Sequence, residues 1–181
     1  MYIHWGKIKI PPEPILQSMK QDDCLFHNAG CWAATGSSGI VTYKLQHGTN
    51  LHIMWDCPFN FDYSDNFIGL MLTSQSDRLT PDKKLFKNMY QDWEEGQKIG
   101  ITPKAGSTYD LVCCGPRTGD SKEAGGKGPC GHLRPCKVRD EHYDVYATMG
   151  DRHATYSKII ILEVSHVAHV DFSFLFFFLF Y

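Results

Sequence analysis

No Asn-x-Ser/Thr sequon occurs anywhere in the chain, so nothing marks an N-glycosylated surface. No run approaches the roughly 20 consecutive apolar residues that a spanning helix needs. Met1–Ile10 does not read as a secretory leader, because Lys7 and Lys9 interrupt its apolar core. Net charge is nearly absent: 18 Lys and Arg against 20 Asp and Glu leave −2. That balance supplies no global basic field and points away from nucleic acid as a partner. Cysteine is present in seven copies, but the odd count and irregular spacing do not read as a disulfide framework. Cys113-Cys114 and Cys130-Gly131-His132 with Cys136 match no C-x₂₋₄-C zinc knuckle, so no metal ligand is assigned. Gly125-Gly126-Lys127-Gly128 lacks both the upstream glycine and the following Ser or Thr of a P-loop. No Ser/His/Asp or paired-carboxylate arrangement stands out. The chain is therefore not read as an enzyme, and no catalytic residue or cofactor is assigned.

What is present is a core-forming sequence. Of 181 residues, 43% are hydrophobic and 21% charged, enough to bury one sizeable core. Ile10-Pro11-Pro12-Glu13-Pro14 is an extended, proline-stiffened segment. Ile40–Leu45 and Leu51–Cys57 alternate apolar and polar residues on either side of the turn Gln46–Asn50, the pattern of a hairpin. Pro58 ends the second strand because it has no N–H for a ladder. Ile68–Thr73 reads as a further strand. Thr80-Pro81 predicts a helix start, with Thr80 as cap and Pro81 as first helical residue. Leu85, Phe86, Met89, Tyr90 and Trp93 continue at helical spacing, and Gly96 is the expected stop. His142–Met149 and Thr155–Val164 flank Gly150-Asp151 as a second hairpin, with Ile159–Leu162 expected to be buried on both faces. Between the helix and this hairpin, Gly96–Val138 is rich in Gly, Pro and Cys, has little periodicity and reads as an insertion or loop. Phe172–Tyr181 contains six Phe and two Leu and reads as an apolar tail. The expected organisation is one domain over residues 1–164, interrupted by 96–138, with a tail over 165–181. Several short strands plus one helix favour a β-sandwich with a helix packed on it.

One family accounts for much of this order. Ala33-Ala34-Thr35-Gly36-Ser37-Ser38-Gly39-Ile40-Val41-Thr42-Tyr43, then Gly48–Asn66, then Met89-Tyr90-Gln91-Asp92-Trp93, resemble successive motifs of the actinoporin-like pore-forming cytolysins. Tyr2-x-His4-x-Gly6 with Ile10-Pro11-Pro12-x-Pro14, and Val145–Val164, are similar to the vertebrate actinoporin-like branch. The likeness covers about residues 1–95 and 139–164. It implies a mainly β fold: a β-sandwich with one flanking helix at about residues 81–95. The N-terminal amphipathic helix and first strand that the family carries ahead of Tyr2 have no counterpart here, and an exposed sheet edge is expected in consequence. The resemblance further implies a secreted protein that docks on target cell membranes through phosphocholine headgroups, sphingomyelin among them. It also implies homo-oligomerisation on the membrane into a haemolytic, cation-conducting pore, which the absent helix puts in doubt.

By that resemblance, Ser38, Asp56, Pro58, Tyr63 and Tyr90 are the candidate headgroup residues. Phe59, Phe61, Phe67 and Trp93 are the candidate interface aromatics. Aromatic faces attract quaternary ammonium, each worth roughly 0.5–2 kcal/mol, and rings with polar tips suit the bilayer interface. Several positions depart from the family. Asp56 replaces a serine, so a carboxylate there repels phosphate and attracts choline. Ser38 replaces an apolar residue. Ser64 holds a tyrosine position, with Tyr63 one place earlier, and Glu94 and Glu95 replace a tyrosine pair. A non-lytic glycan- or lipid-binding module and a degraded gene product are the alternatives.

Overall fold

The computed structural model describes residues 1–12, 21–27, 36–59, 65–95, 109–113, 135–150, 155–164 and 171–179. The side chains of 21, 22, 91–95, 112, 113 and 171–179 lie outside that description. The protein is a β-sandwich, antiparallel in all but one strand pairing, with a single α-helix among the described residues. The first sheet has the order β1-β4-β5-β6-β7, from Tyr2–Trp5, Ser37–Lys44, Thr49–Cys57, Phe67–Ser74 and Tyr109–Cys113. The second has the order β2-β3-β11-β10-β9-β8, from Lys7–Ile10, Gln21–His27, Asp171–Leu179, Thr155–Glu163, Tyr143–Met149 and Cys136–Arg139. Helix α1 spans Lys83–Glu95.

Alternation along the strands sends one set of side chains between the sheets. Val41, Leu51, Ile53, Trp55, Ile68 and Leu70 of the first sheet meet Phe26, Val138, Val145, Ile159 and Ile161 of the second. Trp55 is the largest fully buried side chain among the described residues. Its indole N–H donates to Ser37 Oγ at 3.3 Å, and its ring lies 4.4 Å from that of Phe26. A Cβ on Gly39 would stand 2.8 Å from the indole, so only glycine leaves room for it on β4.

The other face of the first sheet is also buried. Ile40, Met54, Phe67, Met71 and Leu111 pack beneath Leu85, Phe86 and Met89 of α1. The helix begins at Lys83, two residues later than Pro81, because the Asp82 carboxylate accepts from the Leu85 N–H at 2.8 Å and takes the capping role expected of Thr80. The Tyr109 hydroxyl donates to the Met89 carbonyl and ties β7 to the helix. Farther along the same face His52 is fully buried. Its Nδ1 lies 2.8 Å from Thr42 Oγ1 and its Nε2 2.9 Å from Thr73 Oγ1, a polar bridge across β4, β5 and β6.

Both hairpins lie where the alternation placed them. The first turns at His47 and Gly48, with φ of 56° and 72°, the left-handed pair a tight hairpin requires. The second returns through Gly150, whose N–H donates to the Tyr156 carbonyl at 3.1 Å. Ile159 and Ile161 are buried, whereas Ile160 and Leu162 are half-buried on the outer face.

Three stretches are more ordered than the sequence indicates. β1 and β2 run through Tyr2–Ile10 and cross from one sheet to the other at Gly6, whose φ is 94°. Tyr109–Cys113 and Cys136–Arg139, within the stretch expected to be an insertion, are strands β7 and β8. They approach each other where Asp110 Oδ2 accepts from the Lys137 N–H at 3.0 Å. The Phe-rich segment expected to be a tail supplies β11, antiparallel to β10 and parallel to β3. The second sheet's edges are β2 and β8. Among the described residues no helix is long and apolar enough to cross a membrane.

A Cβ at Gly6 would strike the His27 carbonyl oxygen, and the backbone there is left-handed, so Gly6→Ala is expected to cost more than about 1 kcal/mol in a denaturant melt. Burial lowers the His52 pKa from 6.5 to about 4, with Asp77 opposing weakly. Between those values the unfolded chain holds the extra proton, so stability falls as pH drops through that window, by up to about 3 kcal/mol. Melts at pH 7 and pH 4.5 should show that loss in the native chain and a much smaller one in His52→Asn. Equal pH slopes would refute the assignment.

Candidate functional site

Strand register brings the site together at one end of the helix-bearing face. Ser38 on β4 stands directly opposite Asp56 on β5, and Asp56 stands opposite Phe67 on β6. Pro58 follows two residues beyond Asp56, half-buried, and Phe59 projects next to it at 46% exposure. On β1 the row continues to Trp5, which pairs with Ser38.

β1 reaches that position through an irregularity. Tyr2 pairs with Ile40 and Ile3 with Gly39, but the register shifts before Trp5 pairs with Ser38. A bulge of this kind sets two residues opposite one and re-aims a side chain. Ile3 packs against the core between the sheets, while His4 and Trp5 both reach the helix-bearing face. The Trp5 ring lies edge-on to His4 at 5.2 Å, and His4 is stacked on Phe86 of α1 at 4.8 Å.

From there the rings continue. Phe86 is parallel to Tyr90 at 6.1 Å, and Tyr90 is edge-on to Phe67 at 5.5 Å. The strand row Trp5–Ser38–Asp56–Phe67 and the ring series Trp5–His4–Phe86–Tyr90–Phe67 share both ends. They form a closed circuit of aromatic groups with Ser38 and Asp56 in its strand side. Trp5 is 52% exposed and Asp56 and Tyr90 are half-buried, whereas Ser38, Phe67 and Phe86 are buried.

The electrostatics are set by burial and by neighbouring charge. Burial lowers the His4 pKa below its ordinary value, and Lys83 and Lys87 lower it further; the ring is uncharged at neutral pH. Its Nδ1 lies 3.1 Å from the Tyr2 hydroxyl. Ser38 is 1% exposed and its hydroxyl oxygen has no hydrogen-bond partner among the described residues. Burial, with Asp56 adding to it, pushes the Cys57 thiol well above its usual range, so this cysteine is a packing group.

Measured against the sequence, Ser38, Asp56, Pro58 and Tyr90 converge at one end of the face. Phe59 is exposed. Phe67, expected at the interface, is 4% exposed and packs under α1. Its even register with Asp56 turns it inward beneath the helix, so it supports the site as part of the core. Phe61, Tyr63 and Ser64, and the side chains of Trp93, Glu94 and Glu95, lie outside the described residues. Cys130 and His132 do so too, whereas Cys136 is buried in β8. Among the described residues no group of three or more His, Cys, Asp or Glu is placed to hold a metal. Sequence reasoning missed His4, Trp5 and Phe86 as site groups. Strict alternation puts Ile3 and Trp5 on one face, and only Gly6, a glycine within the strand pattern, signals an irregularity there.

The chain is similar to Tereporin-Ca1 of Terebra anilis, with 27% identity over 158 residues, covering 86% of this chain and 70% of that protein. No family model matches the chain, and no solved structure matches it.

The core and surface assignments separate cleanly in a melt. Phe67→Ala should lose about 3–5 kcal/mol of stability, the range for truncating a buried ring. Phe59→Ser should change stability by less than about 0.5 kcal/mol, as for other exposed positions.

Proposed function

We propose that this protein binds membrane lipid through choline-bearing headgroups, as the resemblance to actinoporin-like cytolysins implies, and that it acts from outside the cell on a target membrane. The observation that carries the reading is the convergence of Ser38, Asp56, Pro58 and Tyr90 beside exposed Phe59 at one end of the helix-bearing sheet. Exposed rings next to half-buried polar groups are the chemistry of a bilayer interface, where a ring inserts among headgroups while its polar neighbours stay hydrated. Asp56 and the aromatic rings favour the ammonium end of the headgroup. The likeness to a porin-named protein over most of the chain is a further support. The reading is one of attachment. Assembly of several copies into a conducting pore is what the resemblance adds, and dye release from loaded vesicles measures it separately.

Sedimentation with phosphatidylcholine vesicles, with and without sphingomyelin, tests attachment. The chain should pellet with vesicles, and Phe59→Ser should weaken partitioning about three- to tenfold through loss of one buried ring. If the native chain stays in the supernatant with both vesicle types, the proposal is wrong.

A further inference from the structure

We propose that the outer face of the second sheet is a binding surface for a linear sulfated polysaccharide, with Lys137, Arg139 and Lys158 meeting the sulfates and the Tyr156 ring receiving a sugar. The inference goes beyond the lipid reading and does not rest on it, because this face and the helix-bearing face lie on opposite sides of the sandwich.

Alternation builds the surface. On β8, β9 and β10 one phase faces the core, Val138, Val145 and Ile159 among it, and the other phase faces away. The outward phase brings Lys137 and Arg139 from β8, Thr148 from β9, and Tyr156 and Lys158 from β10, all of them exposed. Tyr156 is 57% exposed, more than any other large hydrophobic residue of the described structure. Its neighbour across the ladder is Gly150, whose N–H donates to the Tyr156 carbonyl at 3.1 Å. Glycine has no side chain to lie over the ring on that side.

Register sorts the charges. Arg139 pairs with Asp144, their side chains 3.5 Å apart. Asp144 pairs with Leu162, and Leu162 with Asp171, so both acidic residues fall in that one row. The next rows, Lys137–Tyr146–Ile160–Ser173 and Thr148–Lys158–Leu175, contain no acidic residue. Among the described residues neither the Lys137 nor the Lys158 ammonium forms an ion pair. Asp110 takes the backbone N–H of Lys137, not its ammonium. That ammonium lies 4.9 Å from the centroid of the Tyr146 ring, which holds it over the sheet without neutralising it. A chain of net charge −2 thus carries a locally cationic face.

The spacing suits an extended chain. Residues of one phase stand about 7 Å apart along a strand and about 5 Å apart across neighbouring strands, so Arg139, Lys137, Lys158 and Tyr156 run as a diagonal of roughly 20 Å. A polysaccharide with sulfates along its length meets three cations on that line through charge-assisted bonds. A sugar at its end meets the tyrosine, which offers an apolar face and a hydroxyl together. Thr148, in register with Lys158, adds a second hydroxyl. A single-stranded nucleic acid fits less well, because it stacks on successive open rings, whereas the Tyr146 ring is half-buried with Lys137 over it. An anionic bilayer needs apolar anchors, and Ile160 and Leu162 are half-buried.

The test titrates the full chain by calorimetry with a sulfated heparin hexasaccharide, with its desulfated counterpart and with an oligothymidylate of matched charge. The sulfated sugar should bind, less tightly as sodium chloride rises from about 50 to about 200 mM. The other two should bind about tenfold more weakly or not at all. Lys137→Gln and Lys158→Gln should each weaken binding of the sulfated sugar about two- to fivefold, and Tyr156→Ser about threefold. Lys44→Gln removes an exposed cation from the first sheet and should leave the affinity unchanged. All four side chains are exposed, so the variants should melt with the native chain. No binding of the sulfated sugar overturns the proposal. Equal tightness for the desulfated sugar or the oligothymidylate overturns it too, as does a loss in Lys44→Gln matching that in Lys158→Gln. Vesicle sedimentation of the same proteins separates this face from the lipid site. A native chain that binds the sugar but not vesicles sinks the lipid reading and supports this one. Loss of vesicle binding in Lys158→Gln would merge the two surfaces and overturn the inference.

Discussion

The architecture depends on one sheet being buried on both of its faces. β5 shows it most plainly, with every residue from Thr49 to Cys57 except Asp56 buried. One face meets the second sheet and the other lies beneath α1. A strand so enclosed must satisfy its polar groups internally, because water cannot reach them. His52 does so by spanning Thr42 and Thr73, and the Trp55 indole does so through Ser37. At the Pro58 end of β5 the enclosure is less complete. Asp56 is half-buried and Ser38 keeps a buried hydroxyl without a partner among the described residues. That end is where the candidate site lies.

The helix does more than cover apolar surface. Phe86 and Tyr90 lie one turn apart, so a single face of α1 delivers both rings to the strand row. Because Leu85 and Met89 anchor the same helix in the core, the rings are held by packing rather than by the loop that follows β5. The site is consequently built on rigid elements for His4, Trp5, Ser38, Asp56, Phe67, Phe86 and Tyr90. Pro58 and Phe59 come from the segment that follows β5.

Much of the fold was legible because the signals were local. The strands around His47-Gly48 and Gly150 alternate with period two, and α1 repeats its apolar residues at helical spacing. Motif order then gave Ser38, Asp56, Pro58 and Tyr90 a common place. What was not legible depends on partners distant in sequence. β1 and β2 are short and almost wholly exposed or half-buried, so no alternation identifies them. β7 and β8 are stabilised by neighbours rather than by their own composition. The uniform Phe pattern of β11 has apolar residues on both phases and hides its period. Phe67 was misplaced because helix coverage of a sheet face cannot be read from the strand, and Trp5 was missed because a bulge inverts the phase.

β11 is the last of the described elements in chain order, yet it stands between β3 and β10 and holds them in one sheet. Until it inserts, the second sheet exists only as the β2–β3 pair and the β8–β9–β10 meander, with no ladder between them. The assembly step is therefore non-local: residues 171–179 must pair in parallel with residues 21–27 across most of the chain's length. Contacts of such separation are the slow ones in folding. During synthesis the nascent chain would carry two unfilled strand edges until residues 171–179 emerged, and that interval is when it is most exposed to pairing with a neighbouring chain.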